Sequence, residues 1–210
     1  MTTRTSTRCA ALAALAVTAV LVLAACGGGG DASGHAGPGT SATPSASAGT
    51  KHNAQDVAFA QDMIPHHQQA LEMTRLAPDR ASSAQVKDLA SRIEKAQDPE
   101  IRTMTGWLRA WGEKVPMAGM DHSGHSGMPG MSGTSGMVSD SDMAALKQAH
   151  GKDFDTKFLS LMVEHHQGAV EMADTERVKG AYGPARLLAA TVVAGQTAEI
   201  TEMKKLLGTH

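Results

Sequence analysis

Four histidines stand in two adjacent pairs, His66-His67 and His165-His166. Each pair is bracketed by methionines, Met63 and Met73 in the first case and Met162 and Met172 in the second. Imidazole nitrogens and thioether sulfurs are donors that soft transition metals accept, so the chemistry first suggested is binding of a metal such as Cu(I). Zinc is usually held with more carboxylate or thiolate than this. Met63 lies three residues before His66 and four before His67, spacings that let side chains meet on one helix face. A lone histidine on an apolar face is more often a satisfied core residue, and methionine at helical spacing is usually packing. Two copies of one grouping shift that balance, because every buried imidazole needs a partner.

The grouping recurs because the chain repeats itself. Phe59, Met63, His66, His67, Gln68, Ala70, Glu72 and Met73 return as Phe158, Met162, His165, His166, Gln167, Ala169, Glu171 and Met172, ninety-nine positions on. Gln97, Glu100, Ile101, Met104 and Leu108 return at the same offset as Gln196, Glu199, Ile200, Met203 and Leu207. This is the internal duplication of a long unit. At ~100° per residue, Phe59, Met63, His66, Ala70 and Met73 share one arc, and Ile64, His67 and Leu71 widen it. Gln61, Asp62, Gln68, Gln69 and Glu72 take the rest. The second copy divides similarly, with Leu161 and Gly168 the exceptions on its polar side. Four imidazoles and four thioethers are therefore expected to point toward one interior.

The elements that must position them are helices. The pattern predicts a helix over 53–76, kinked at Pro65, which lacks an N–H, and ended by Ala77-Pro78-Asp79. A second helix over 82–111 carries Val86, Ala90, Ile93, Gln97, Ile101, Met104 and Leu108 on one stripe, with Gly112 as its cap. Gln97 and its counterpart Gln196 could orient a histidine from behind or satisfy a backbone carbonyl. A short helix over 143–150, capped by Ser141 or Asp142 and stopped by Gly151, precedes helices over 153–179 and 185–207. No segment alternates as a strand would. Two helical hairpins related by a pseudo-twofold axis make an all-α four-helix bundle, with the two histidine pairs facing each other or neighbouring layers of the core.

Before the repeats, Arg4 and Arg8 precede an apolar run from Ala10 to Leu23, as in a signal peptide. Leu23-Ala24-Ala25-Cys26 resembles the lipobox of bacterial lipoproteins, which implies cleavage before Cys26 and a lipid on its sulfur. The apolar run is shorter than the ~20 residues a membrane span needs. The expected organisation is a signal peptide over 1–25, a Gly/Ala/Ser/Thr/Pro tether over 26–52 containing His35 and His52, and a duplicated domain over 53–208. Within that domain repeat one is 53–114, a central loop 115–140 and repeat two 141–208. Loss of Arg4 and Arg8 takes the formal charge from −2 to about −4. That balance, with three Phe, two Trp and one Tyr, excludes a nucleic-acid surface. With Cys9 removed and Cys26 lipidated, no thiolate site or disulfide is left. The central loop sets Met117, Met120, Met128, Met131 and Met137 among Gly, Ser and Pro, with His122 and His125. No core can be packed from it, so its thioethers and imidazoles are further candidates for a soft metal.

The doubled Met-x-x-His-His-Gln-x-Ala-x-Glu-Met motif resembles the family of unknown function numbered 305, over roughly 53–111 and 141–207. The resemblance implies a ferritin-like four-helix bundle, exported or membrane-attached. Some members, the CopM-like proteins, are associated with copper binding and copper tolerance. Carried over by position, the implied ligands are Met63, His66, His67, Met73, Met162, His165, His166 and Met172, with Met104 and Met203 as additions. The leading expectation is a lipid-anchored protein that sequesters copper, or exchanges it with a donor or acceptor protein, and that can pair as a homodimer. A metal-dependent redox enzyme is the first alternative. A di-iron centre would want Glu-x-x-His on two helices, a spacing neither pair supplies. A structural or pH-responsive module is the second alternative.

Overall fold

The computed structural model describes residues 51–116 and 135–208. The signal segment, Cys26, His35, and Met117, Met120, His122, His125, Met128 and Met131 lie outside the described residues. Among the described residues there are six helices: α1 (Ala54–Thr74), α2 (Ala77–Arg80), α3 (Ala84–Trp111), α4 (Asp140–Gln148), α5 (Gly151–Lys179) and α6 (Gly183–Leu207). The four long ones form the bundle. α1 packs on α3 and α5 packs on α6 as two hairpins, and α1 and α5 pack on each other. None of them is long and apolar enough to cross a membrane.

Local chemistry accounts for the boundaries. Asn53 and Asp56 close a capping box on α1, with the Asn53 side chain accepting from the backbone of Gln55 and Asp56. α1 runs as one helix through Pro65. It stops at Thr74, and Pro78 opens the single turn of α2. Repeat two has Arg177 where repeat one has Pro78, and there α5 continues without a break to Lys179. Ser83 caps α3 and Gly112 ends it. The short helix differs from expectation. Its cap is Ser139, whose hydroxyl accepts from the Asp142 N–H, so α4 begins at Asp140 and ends at Gln148. Gly151 does not stop it; with φ +62 it starts α5. Within the stretch expected as a loop, Ser135 to Val138 lie against the bundle.

The apolar core is two clusters that the duplication exchanges. Phe59, Met63 and Met104 of repeat one pack with Ala169, Ala189 and Val192 of repeat two, and Met172 lies against them. Phe158, Met162 and Met203 of repeat two pack with Ala70, Met73, Ala90 and Ile93 of repeat one. Each cluster thus takes the first half of one repeat's leading helix and the second half of the other's. The expected single interior is two equivalent ones, because α1 and α5 run antiparallel about the pseudo-twofold axis.

Two buried carboxylates lock this arrangement. Asp56 near the start of α1 accepts from the Ala181 and Tyr182 N–H groups that lead into α6, at 3.1 and 2.9 Å, and from the Asn53 N–H at 2.6 Å. Its counterpart Asp155 near the start of α5 accepts from the Ser82 and Ser83 N–H groups that lead into α3, at 3.1 and 3.0 Å, and from the Ser82 hydroxyl. Each repeat therefore caps the hairpin of the other, with negative charge at a helix N-terminus. One end carries an addition. Glu176, fully buried, stands where repeat one has Ala77, and it lies beside Asp56. Burial and the neighbouring Asp56 push the Glu176 carboxyl up to about 8. Burial also pulls Asp56 upward, but hydrogen bonds from Glu176 and from the backbone of Asn53, Tyr182 and Ala181 outweigh it and hold Asp56 below its ordinary value. Two ionised carboxylates would have no donor between them; a proton on Glu176 supplies one.

Asp155→Ala leaves two backbone N–H groups of the α3 turn unpartnered, and it is expected to lower stability by about 3 kcal/mol in urea titrations, with Asp155→Asn losing less. Glu176 sets a pH slope of known sign. Its carboxyl is raised in the folded chain, so the unfolded chain gives up that proton first as pH rises from 4.5 toward about 8, and stability falls across that window. Glu176→Gln is expected to remove that fall, which thermal melts at several pH values measure.

Candidate metal centre

All four histidines are buried: His66 is 2% exposed and His67, His165 and His166 are 0%. The helical pattern required this, since each pair falls inside the apolar arc. The His66 and His165 rings meet across α1 and α5 with centroids 3.7 Å apart, and the His165 and His166 rings are 6.3 Å apart. Equivalent residues of two repeats can touch only on the axis that relates them, so this contact marks the pseudo-twofold and lies between the two apolar clusters. Burial drives the His66 ring down to about 3; the charge His67 would carry adds to this and the Ser135 backbone opposes it. Burial also drives His165 well below its ordinary value, with the other three imidazoles acting in the same direction. Both rings are neutral, so each keeps one N–H and one lone pair.

Those lone pairs have nowhere to go within the protein. Both ring nitrogens of His66 and of His165, and Nδ1 of His67 and His166, are buried without a hydrogen-bond partner. Leaving such a group unsatisfied costs roughly 1–3 kcal/mol. The sulfurs nearby are equally enclosed, with Met63, Met73, Met104, Met162 and Met203 each 0% exposed; Met172 is partly buried. Met63 shares its cluster with Met104 and Met172, and Met162 shares its own with Met203 and Met73. Among the described residues no three His, Cys, Asp or Glu side chains form a group able to hold a metal. The donors present are imidazole and thioether, which suit Cu(I) better than zinc or iron. Glu72 and Glu171 are on the outside as expected, engaged with Lys147 and Ser135.

The residues behind the histidines are not the expected ones. The Gln97 amide nitrogen and oxygen and the Gln196 oxygen are buried and unpartnered, reaching neither a histidine nor a backbone carbonyl. Glu100 and Glu199 do that work instead. Each places a carboxylate oxygen 2.7 Å from Nε2 of a histidine, His67 and His166 respectively. The signal was present: a carboxylate recurs in both copies three residues after the glutamine, on the same stripe. His52 is accounted for otherwise, stacked on Trp111 at 4.3 Å in a cluster with Trp107 and Tyr182.

One side of the axis is covered by chain from the centre of the sequence. The Gln69 side chain donates to the Val138 carbonyl and accepts from the Val138 N–H, at 2.9 and 2.8 Å. On α5 the counterpart of Gln69 is Gly168, and a β-carbon there would sit 2.0 Å from the Ser135 carbonyl oxygen. Gly136, at φ +78, crosses at the same point. Gly168, an exception to the polar arc in sequence, is thus the place where Ser135–Val138 lies on the bundle.

Comparison with curated proteins returns no match. Among solved structures, a secreted DUF305 protein from Streptomyces coelicolor is 36% identical over 73% of this chain and 92% of its own, with TM-score 0.63. A DUF305 fragment from Deinococcus radiodurans is 30% identical over 74% of this chain and 97% of its own, with TM-score 0.64. CopM in its Cu(II)-bound form is 34% identical over 73% of this chain and 95% of its own, with TM-score 0.60; CopM structures with Cu(I) and with silver also match. The family model described as Domain of unknown function (DUF305) matches residues 56–207, and with these likenesses to its solved members the chain belongs to that family.

Proposed function

We propose that this protein binds copper, as Cu(I), outside the cytoplasm and sequesters it or passes it on. One observation carries the reading: six buried imidazole nitrogens have no hydrogen-bond partner, on two helices whose Met63, Met73 and Met162 are buried as well. A soft cation that accepts nitrogen lone pairs and thioether sulfur is the ligand that would satisfy both. Imidazoles of His66, His67, His165 and His166, no three of them on one ion, would hold it with the thioether of Met63 in one cluster or of Met162 in the other, and Met73, Met104, Met172 and Met203 line the same two clusters. When bound, copper would supply Lewis acidity toward these donors; the chain's own part is to exclude water and to hold the His66 and His165 rings neutral. Solved copper and silver forms of CopM support this choice of metal. The lipobox-like Leu23-Ala-Ala-Cys26 supports attachment to the outer face of a membrane through Cys26. Met117, Met120, His122, His125, Met128 and Met131 would serve as a second set of soft donors.

In an anaerobic titration against a chromophoric Cu(I) chelator, with Zn(II) in parallel, the protein is expected to bind Cu(I) stoichiometrically and Zn(II) weakly. His66→Ala with His165→Ala should weaken Cu(I) binding at least roughly 100-fold, the upper end of what losing a group behind a metal ligand costs. Met63→Leu with Met162→Leu keeps the packed volume and should also weaken binding, with the helical circular dichroism retained. Native affinity in both double variants would move the site to the Met/His-rich centre of the sequence, and no competition for Cu(I) would sink the copper reading.

Acid provides a second check. His66 and His165 are depressed in the folded chain, so below 6.5 the unfolded chain takes up protons that the folded chain does not. Stability of the metal-free protein should therefore fall as pH drops from 6.5 toward about 3. That fall comes from burial alone and suits a pH-responsive module equally well. Protection by added Cu(I) at pH 6, read as a raised Tm, is what the copper reading requires.

A further inference from the structure

The four histidines are not alike. His66 and His165 have neither ring nitrogen anchored, whereas His67 and His166 have one anchored each, and it is the same one. Glu100 and Glu199, equivalent in the two repeats, hold Nε2 at 2.7 Å in both cases. Both histidine side chains are 0% exposed, while the glutamates are 16% and 17% exposed, so each pair runs from the interior to the edge of solvent. An ionised carboxylate can only accept, so the proton of a neutral ring sits on Nε2 and the lone pair on Nδ1. In both rings Nδ1 is buried and unpartnered. A histidine buried for packing would ordinarily satisfy both nitrogens; these satisfy one and leave the other facing inward.

We propose that Glu100 and Glu199 are positioning residues that fix His67 and His166 as Nε2–H tautomers and so present Nδ1 of each ring as a copper donor. This deepens the copper reading above and rests on it. A carboxylate behind the ring would do two things. It fixes the ring plane before the metal arrives, and it strengthens the donor nitrogen by drawing on the proton opposite. Because the glutamates reach solvent and the rings do not, the anchoring survives without opening the interior to water.

The test starts on the metal-free protein, where the long-range proton–nitrogen spectrum of labelled histidine distinguishes the tautomers at neutral pH. His67 and His166 are expected as Nε2–H. Either an Nδ1–H pattern or a doubly protonated ring would overturn the proposal. Glu100→Ala with Glu199→Ala should abolish that uniform signature and lower Cu(I) affinity by roughly 10–100-fold. Glu100→Gln with Glu199→Gln keeps an acceptor oxygen and should restore most of it. Glu202→Ala, which removes a surface partner of Arg92, controls for loss of charge on α6. Native Cu(I) affinity in the double alanine variant, with its helices intact, would show that the glutamates position nothing. If the native protein binds no Cu(I), the donor role falls with the copper reading, while the tautomer spectrum still reports whether the glutamates orient the rings.

Discussion

Four imidazoles held away from water are the constraint to which the rest of this bundle answers. Six of their nitrogens lack partners, and at roughly 1–3 kcal/mol each they oppose folding by an amount comparable with the ~5–15 kcal/mol by which a domain is usually stable. The remainder of the fold offsets this. The four long helices are capped by side chains, by glycine or by the partner repeat, the phenylalanines and most of the core methionines are fully enclosed, and the hairpins are tied by charged hydrogen bonds. A ligand that accepts the lone pairs removes the share of this cost that falls on the acceptor nitrogens, one in each ring. Binding and stability are therefore coupled here through one set of atoms.

Much of this was legible in the sequence, for a physical reason. Duplication fixes which residues are equivalent, and helical periodicity fixes which of them face inward; together they turn both histidine pairs inward, and the structure then sets His66 against His165. What periodicity does not report is direction across the axis. Met63 and Met73 share an arc, yet they serve different clusters, since antiparallel helices pair the first half of one repeat with the second half of the other. Polarity also misleads at the edge of a stripe. Gln97 and Gln196 sit at its centre and bond to nothing, while Glu100 and Glu199, one turn on, reach the rings because a side chain of the same length at the margin can point inward and keep an oxygen near water. The cap of α4 was missed by two residues because Ser139, Ser141 and Asp142 offer the same hydrogen bond, and only the seating of Ser135–Val138 chooses among them.

The repeats are similar without being identical, and their differences fall at particular contacts. Gln69 grips the incoming chain at Val138 while Gly168 makes room for it. Ala77 is a small filler while Glu176 adds a buried proton beside Asp56. Pro78 breaks one leading helix while Arg177 lets the other run on. The equivalent histidine and glutamate positions show no such drift.

The crossed carboxylates have a further meaning. Asp56 and Asp155 each bond to backbone N–H groups, which every repeat possesses, in a turn that belongs to the other repeat. A single repeat has no turn of its own within reach of its aspartate, yet it carries both halves of the contact. Two identical copies could satisfy each other in the way the two halves of this chain do. The geometry is that of a symmetric dimer whose subunits have been joined end to end, with the Met/His-rich stretch as the joint.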